Sequence, residues 1–289
     1  MPSSFLSECK QKVLNRIESL LTQQDQVTSS MRYSALADSK CIRAGLVFAS
    51  GKLEGQLDEV GLTDIATSLE LMHSYSLIHD DLPAMDDDDM RRGQPSNHLK
   101  FNEATAILAG DAMQALAFET IASSKAITDA HKVEAIKMLA AACGHQGMVL
   151  GQQYDLDAEK NELLDIELIH SLKTAKLIQV ALTMPYLGNE MYKKTQVLLS
   201  NLGGKIGLAF QIMDDVLEVS SDSVTLGKSN LSDITNKKMT YVSVYGLEAS
   251  IQKAEALSHF CIEQIQENFE VEKTRELIEL MHLMVSRSN

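Results

Sequence analysis

Residues 69–93 read LELMHSYSLIHDDLPAMDDDDMRRG. The first eleven are mostly apolar with helical spacing, and the pattern predicts a helix over 63–81 with Thr63 as its N-cap. That helix runs straight into carboxylates. Asp80 and Asp81 sit at its C-terminus, Pro83 bends the chain, and Asp86, Asp87, Asp88 and Asp89 follow. The last carbonyls of a helix already carry partial negative charge, so acids there are unfavourable. Packed this closely they also repel one another. Folding alone gives no reason for the arrangement. A divalent cation removes both penalties, and a hard ion such as Mg²⁺ takes one or two carboxylates together with water and substrate phosphate. Arg91 and Arg92 come next, and their forked donors suit a metal-bound phosphate. A solvated acidic turn is the plain alternative.

The same order recurs downstream. FQIMDDVLE, residues 210–218, places Asp214 and Glu218 on one helical face with Gln211 a turn earlier and Asp215 adjacent. A basic stretch then carries Lys228 in TLGKS and the pair Lys237–Lys238. Two acidic helix ends, each followed by cations, read as carboxylate helices that face one another and hold several Mg²⁺ ions on one diphosphate.

Helical periodicity fills most of the remaining chain. Helices are expected over 3–24, from an Asn102 cap to about Ser124, and over 131–150, 162–185, 191–219, 240–268 and 270–286. The stretches 23–30, 86–101 and 220–238 lack the pattern. Gly and Pro together supply 19 of 289 residues, too few for the turns of a sandwich or barrel. The expectation is an all-α fold, one large helical bundle around a single core, with residues 1–289 as one domain. A net charge of −14 argues against nucleic acid. No apolar run reaches the roughly 18 residues that span a bilayer, so stable membrane insertion is not expected. Cys9, Cys41, Cys143 and Cys261 lie far apart and read as free thiols of a cytoplasmic protein.

SLIHDDLPAMDDDDMRRG and FQIMDDVLE together resemble the two aspartate-rich motifs of the trans-prenyl diphosphate synthases. The likeness is closest to the bacterial farnesyl diphosphate synthases and runs from about Met31 to Leu247. It includes KFNEATAILAGDAMQALAFE, GMVLGQQYDLDAE and HSLKTAKLI. The resemblance implies the isoprenoid synthase bundle around a deep central cavity, usually as a homodimer. It implies a prenyltransferase that condenses dimethylallyl or geranyl diphosphate with isopentenyl diphosphate, releases diphosphate and gives mainly farnesyl diphosphate. By the same resemblance, Asp80, Asp86, Asp214, Asp215 and Glu218 are metal residues, with Asp81 supporting. The cofactor implied is Mg²⁺, three ions per site, with Mn²⁺ an alternative. Arg91, Lys173, Thr174, Gln211, Lys228 and Lys238 match positions that hold the allylic diphosphate. Lys40, Arg43, His73 and Arg92 match those that hold isopentenyl diphosphate.

Three places depart from the family pattern. Asp38-Ser39-Lys40-Cys41-Ile42-Arg43-Ala44 replaces G-G-K-R-x-R-P, Glu218 replaces an Asp, and Met239 replaces a small polar residue. On mechanism, the cations draw charge from the leaving diphosphate, and Lys173, Thr174 and Gln211 steady the allylic cation. Tyr75 lies five residues before Asp80, roughly 7.5 Å lower along the helix, where a ring would stop a growing tail.

Other readings fit parts of the pattern. A geranyl or geranylgeranyl synthase shares the fold, as does an inactive partner subunit. A terpene cyclase shares the first motif. A di-iron bundle would use the pairs Glu70/His73, Glu167/His170 and Glu279/His282.

Overall fold

The structure, a computed structural model, describes residues 4–158, 165–187, 193–225 and 239–286. It is helical nearly throughout. In chain order come α1 (Ser4–Leu20), α2 (Gln26–Ala35), α3 (Ile42–Glu54) and α4 (Glu59–Asp80). A ribbon of two short antiparallel strands follows, β1 (Met90–Arg91) and β2 (Gln94–Pro95), with Met90 opposite Pro95 and Arg91 opposite Gln94. Then come α5 (Asn97–Lys100), α6 (Glu103–Ala122), α7 (Asp129–Cys143), α8 (Met148–Ala158) and α9 (Ile166–His170). A π-helical turn, Ser171–Ala175, leads into α10 (Lys176–Thr183) and a 3₁₀ turn, Met184–Tyr186. The rest is α11 (Lys193–Thr225), α12 (Tyr241–Tyr245), α13 (Leu247–Asn268) and α14 (Val271–Val285). No helix among the described residues is long and apolar enough to cross a membrane.

The internal contacts divide into two compact units, Met1–Leu139 with Thr183–Tyr192, and Ala140–Leu182 with Lys193–Asn289. In the first, α4 is the central element and packs on α1, α3 and α6. Its Ile65, Leu69, Leu71 and Met72 are fully buried, because apolar residues occupy most of its circumference. α6 answers with Ala106, Ala109, Gly110 and Ala117. These small residues bring the two backbones close. A Cβ at Gly110 would fall 2.2 Å from His79 Nε2, and Ser68 Oγ donates to the Ala117 carbonyl at 2.6 Å. In the second unit, α11 packs on α13, α14 and the π turn.

The boundaries differ from the sequence expectation in several places. Asp58, not Thr63, caps α4, accepting from Gly61 N at 2.8 Å; Thr63 lies inside the helix and donates to the Glu59 carbonyl. Residues 26–30 are helical because Asp25 caps α2 through Thr28 N. The 131–150 helix breaks after Cys143, where Gly144 and Gly147 close a turn. Of the expected 162–185 helix, residues 162–164 lie outside the described residues; the rest starts at the Asp165 cap, contains the π turn and ends in the 3₁₀ turn. Gly246, at φ 86°, splits 240–268 into α12 and α13, a backbone conformation open to glycine. α11 continues to Thr225 instead of stopping at 219. Non-helical chain over 86–96 and the Asn102 cap match the expectation, whereas 97–100 is the short helix α5.

Candidate active site

In the first unit the site grows out of the C-terminus of α4. Asp80 is its last residue, and the chain then folds back tightly. Met85 N donates to the Leu82 carbonyl at 2.8 Å, and Asp86 N donates to the Asp80 carbonyl at 2.9 Å. That second bond seats the backbones of Asp80 and Asp86 together. Asp87 takes a left-handed conformation, φ 52°, to complete the turn. Asp81 is only 2% exposed. Arg91 Nε donates to its Oδ1 at 2.9 Å, Arg91 Nη2 donates to the same oxygen, and Nη2 also reaches Asp88 Oδ2 at 2.8 Å. Burial pushes the Asp81 carboxyl above its ordinary range, and Arg91 pulls it partly back. Arg91 is thus held between two carboxylates, and the β-ribbon that carries it is fixed in turn. Asn97 bonds Ser30 and Ser34, and Tyr33 donates to the Pro95 carbonyl at 2.8 Å.

A second group forms around His73, one face of α4 nearer its middle. Burial, then the positive fields of Arg43, Arg92 and Arg91, hold its pKa well below the usual imidazole value. Arg43 and Arg92 also act on Glu70, a buried carboxylate that accepts from Ala44 N at 2.9 Å. The structure therefore brings Arg43, His73 and Arg92 into one electrostatic neighbourhood. Lys40 is exposed, three residues before Arg43. Asp38 is exposed and pairs with Lys10 at 2.6 Å. Cys41 starts α3 at φ 47°, and burial raises its thiol pKa to about 12, so it stays protonated. Tyr75 is buried on α4, its ring edge-on to His79 with centroids 5.6 Å apart.

In the second unit the π turn carries Lys173 and Thr174. Lys173 Nζ lies 2.6 Å from Asp155 Oδ2 on α8. Thr174 Oγ1 donates to Gln211 Oε1 at 2.7 Å, and Gln211 Nε2 donates to Asp215 Oδ1 at 3.2 Å. Asp215 is buried at 5% exposure, and its Oδ2 accepts from Tyr241 N at 2.6 Å and meets His170 Nε2 at 3.0 Å. Glu218 on the same helix is exposed. Lys228, Lys237 and Lys238 lie outside the described residues. Asp155 was not singled out from the sequence, and His170 entered only as half of an E-x-x-H pair. The signal for the first was GQQYD, which sets Asp155 one helical turn after Gly151; for the second, His170 stands three residues before Lys173.

The donor set is hard oxygen, which suits Mg²⁺. Among the described residues no three His, Cys, Asp or Glu side chains form a ready-made cage. Glu70 and Glu167, the first members of two E-x-x-H pairs, are engaged with Ala44 N and with Tyr241 and Lys253, which leaves the di-iron reading without support.

The chain matches the Polyprenyl synthetase family over residues 24–281. It is 42% identical over 257 residues to a farnesyl diphosphate synthase of Escherichia coli (strain K12), covering 87% of this chain and 86% of that one. To the farnesyl diphosphate synthase of Haemophilus influenzae it is 39% identical over 272 residues, covering 90% and 92%. Among solved structures, a geranyltransferase from Legionella pneumophila superposes with a TM-score of 0.87 at 33% identity, over 99% of this chain and 97% of that one. The chain belongs to the polyprenyl synthetase family.

Proposed function

We propose that this protein is a trans-prenyltransferase that joins C1 of an allylic diphosphate to C4 of isopentenyl diphosphate. Diphosphate leaves, one proton is lost, and the main product is farnesyl diphosphate. The observation that supports this best is the pairing, within one unit, of a carboxylate-bearing helix end with Arg91 and of a separate Arg43–His73–Arg92 group. Two anionic groups then have two receptors. The isopentenyl diphosphate would sit against Arg43, Arg92, His73 and Lys40. The allylic diphosphate would meet Arg91, Lys173, Lys228 and Lys238.

Mg²⁺ held by Asp80, Asp86 and Asp214, three ions per site with Mn²⁺ as a substitute, would supply the positive charge that a departing diphosphate needs. Glu218 would reach such an ion through water. The rest of the chemistry falls to the chain itself. Lys173 carries a fixed positive charge on a turn braced by Asp155. Thr174 and Gln211 offer oxygen dipoles to the allylic cation. The alkene of isopentenyl diphosphate attacks that cation, and the departed diphosphate accepts the proton. A dry apolar cavity would keep water from the cation.

We further propose that residues 1–289 act as one catalytic domain, in the cytoplasm, as a homodimer. α6 supports the dimer: Ala104, Ile107, Leu108 and Ala115 lie exposed on one face around the exposed Asp111, Leu108 at 54%. Sedimentation velocity tests it.

The deciding experiment incubates purified protein with geranyl diphosphate, isopentenyl diphosphate and Mg²⁺, then measures diphosphate release and product length. A C15 product that requires isopentenyl diphosphate carries the reading. Hydrocarbon formed from farnesyl diphosphate alone would instead mark a cyclase, and no turnover at all would mark an inactive partner subunit.

A further inference from the structure

Asp214 and Asp215 are neighbours in sequence and differ in surroundings. Asp215 is enclosed, and both of its oxygens accept hydrogen bonds from the protein. With Thr174, which donates to Gln211, the network around Asp215 draws on four places along the chain. His170 ends α9, Thr174 sits in the π turn, Gln211 lies on α11, and Tyr241 opens α12. The His170 ring stacks on Tyr241 at 6.3 Å and 26°, and Tyr241 Oη donates to Glu167 Oε1 at 2.8 Å. Glu167 is three residues before His170 and also pairs with Lys253 at 3.0 Å.

The polarity of this network from Tyr241 N through to Thr174 is set by its donors. The backbone N–H of Tyr241 can only donate, so Asp215 Oδ2 accepts it. Gln211 Nε2 donates to Oδ1, so the amide turns its NH₂ toward the carboxylate. The amide oxygen then faces Thr174, and the Thr174 hydroxyl must donate its hydrogen to it at 2.7 Å. With its hydrogen committed there, the Thr174 oxygen keeps its lone pairs for whatever approaches its other side. Turning Asp215 outward to a cation would strand a buried backbone N–H and release the amide.

We infer that Asp215 is a positioning residue and not a metal ligand: held by His170 and Tyr241, it sets the Gln211 amide and so presents Thr174 to the allylic substrate as an acceptor. This rests on the activity proposed above. Asp215→Asn reverses the relay. Its amide oxygen must stay with Tyr241 N, its NH₂ then faces Gln211, the Gln211 amide flips, and the Thr174 hydroxyl no longer has an acceptor there. A developing cation meets the wrong end of the dipole.

The test measures kcat, KM for geranyl diphosphate, the Mg²⁺ concentration for half-activation and the thermal midpoint. The variants are Asp215→Asn, Thr174→Val, the double variant and Asp214→Asn. Asp215→Asn is expected to lower kcat by roughly 10²-fold, the usual loss for one misdirected transition-state dipole. Its half-activating Mg²⁺ stays at the wild-type value, while Asp214→Asn raises that value. The double variant is no slower than the slower single variant, because both act through one hydroxyl. If Asp215→Asn melts below the assay temperature, Gln211→Leu paired with Thr174→Val supplies the same non-additivity test. A rise in half-activating Mg²⁺ for Asp215→Asn like that of Asp214→Asn, or additive losses in the double variant, would overturn the assignment while leaving the activity intact. A wild-type protein that turns nothing over would overturn the activity and this assignment with it.

Discussion

Lys173 Nζ and Asp155 Oδ2 stand 2.6 Å apart, the lysine on the π turn and the aspartate on α8, with the carboxylate side chain only 9% exposed. The ammonium proposed to meet the allylic diphosphate is therefore aimed before any substrate arrives. A long flexible side chain normally loses rotamer freedom on binding, and a fixed partner removes part of that cost.

Asp155→Asn keeps the shape and removes the charge. We expect kcat/KM for the allylic diphosphate to fall roughly 10- to 100-fold, the range for losing one charge-assisted hydrogen bond. Steady-state kinetics with varied geranyl diphosphate check this. An unchanged value would mean that Lys173 needs no brace.

Gly151 faces the backbone of the same turn. A Cβ there would lie 2.3 Å from Lys173 N and 2.7 Å from its Cα. No side-chain rotation relieves a clash with backbone. Gly151→Ala should cost on the order of 1–3 kcal/mol of stability as α8 is pushed off the turn. Urea denaturation followed by circular dichroism gives the number.

Tyr75 is buried on α4 five residues before Asp80. If its ring is the floor of the product tunnel, Tyr75→Ala yields prenyl chains longer than C15. Chromatography of the dephosphorylated products decides, and an unchanged C15 product would move the floor elsewhere.

His73 gives the stability a pH dependence whose sign can be worked out. Its folded pKa lies well below the ordinary 6.5, chiefly through burial and then the nearby arginines. Between those two values the unfolded chain binds a proton that the folded one refuses. Stability from this group is therefore complete above about 6.5 and declines as the pH falls below it, by at most about 1.4 kcal/mol per pH unit. His73→Gln should flatten that limb. Denaturation midpoints of both proteins between pH 7.5 and pH 5 test it, and parallel curves would refute it.

The helical class was legible in the primary structure because apolar spacing is a local property. The Asn102 cap was legible for the same reason. Cap choice at α4 was less so: Asp58 and Thr63 are both good N-cap residues, and burial of Gly61 and Leu62 decided for the earlier one. Glycine breaks at 144, 147 and 246 were overrun by a periodicity that continued on both sides of them. The π turn at Ser171–Ala175 left no trace in the pattern; it packs against α8 and α11, neighbours that the local spacing does not contain.

By itself the chain determined that acid would gather at Asp80–Asp89 and Asp214–Glu218, because charge density is written in composition and order. Which of those carboxylates are enclosed by the protein's own donors was a different matter. Asp81 is consumed by Arg91 and Asp215 by His170, Gln211 and the Tyr241 amide, partners drawn from distant segments. Only the tertiary structure could decide that, because a carboxylate's role depends on which donors surround it, and those donors meet only once the chain has folded.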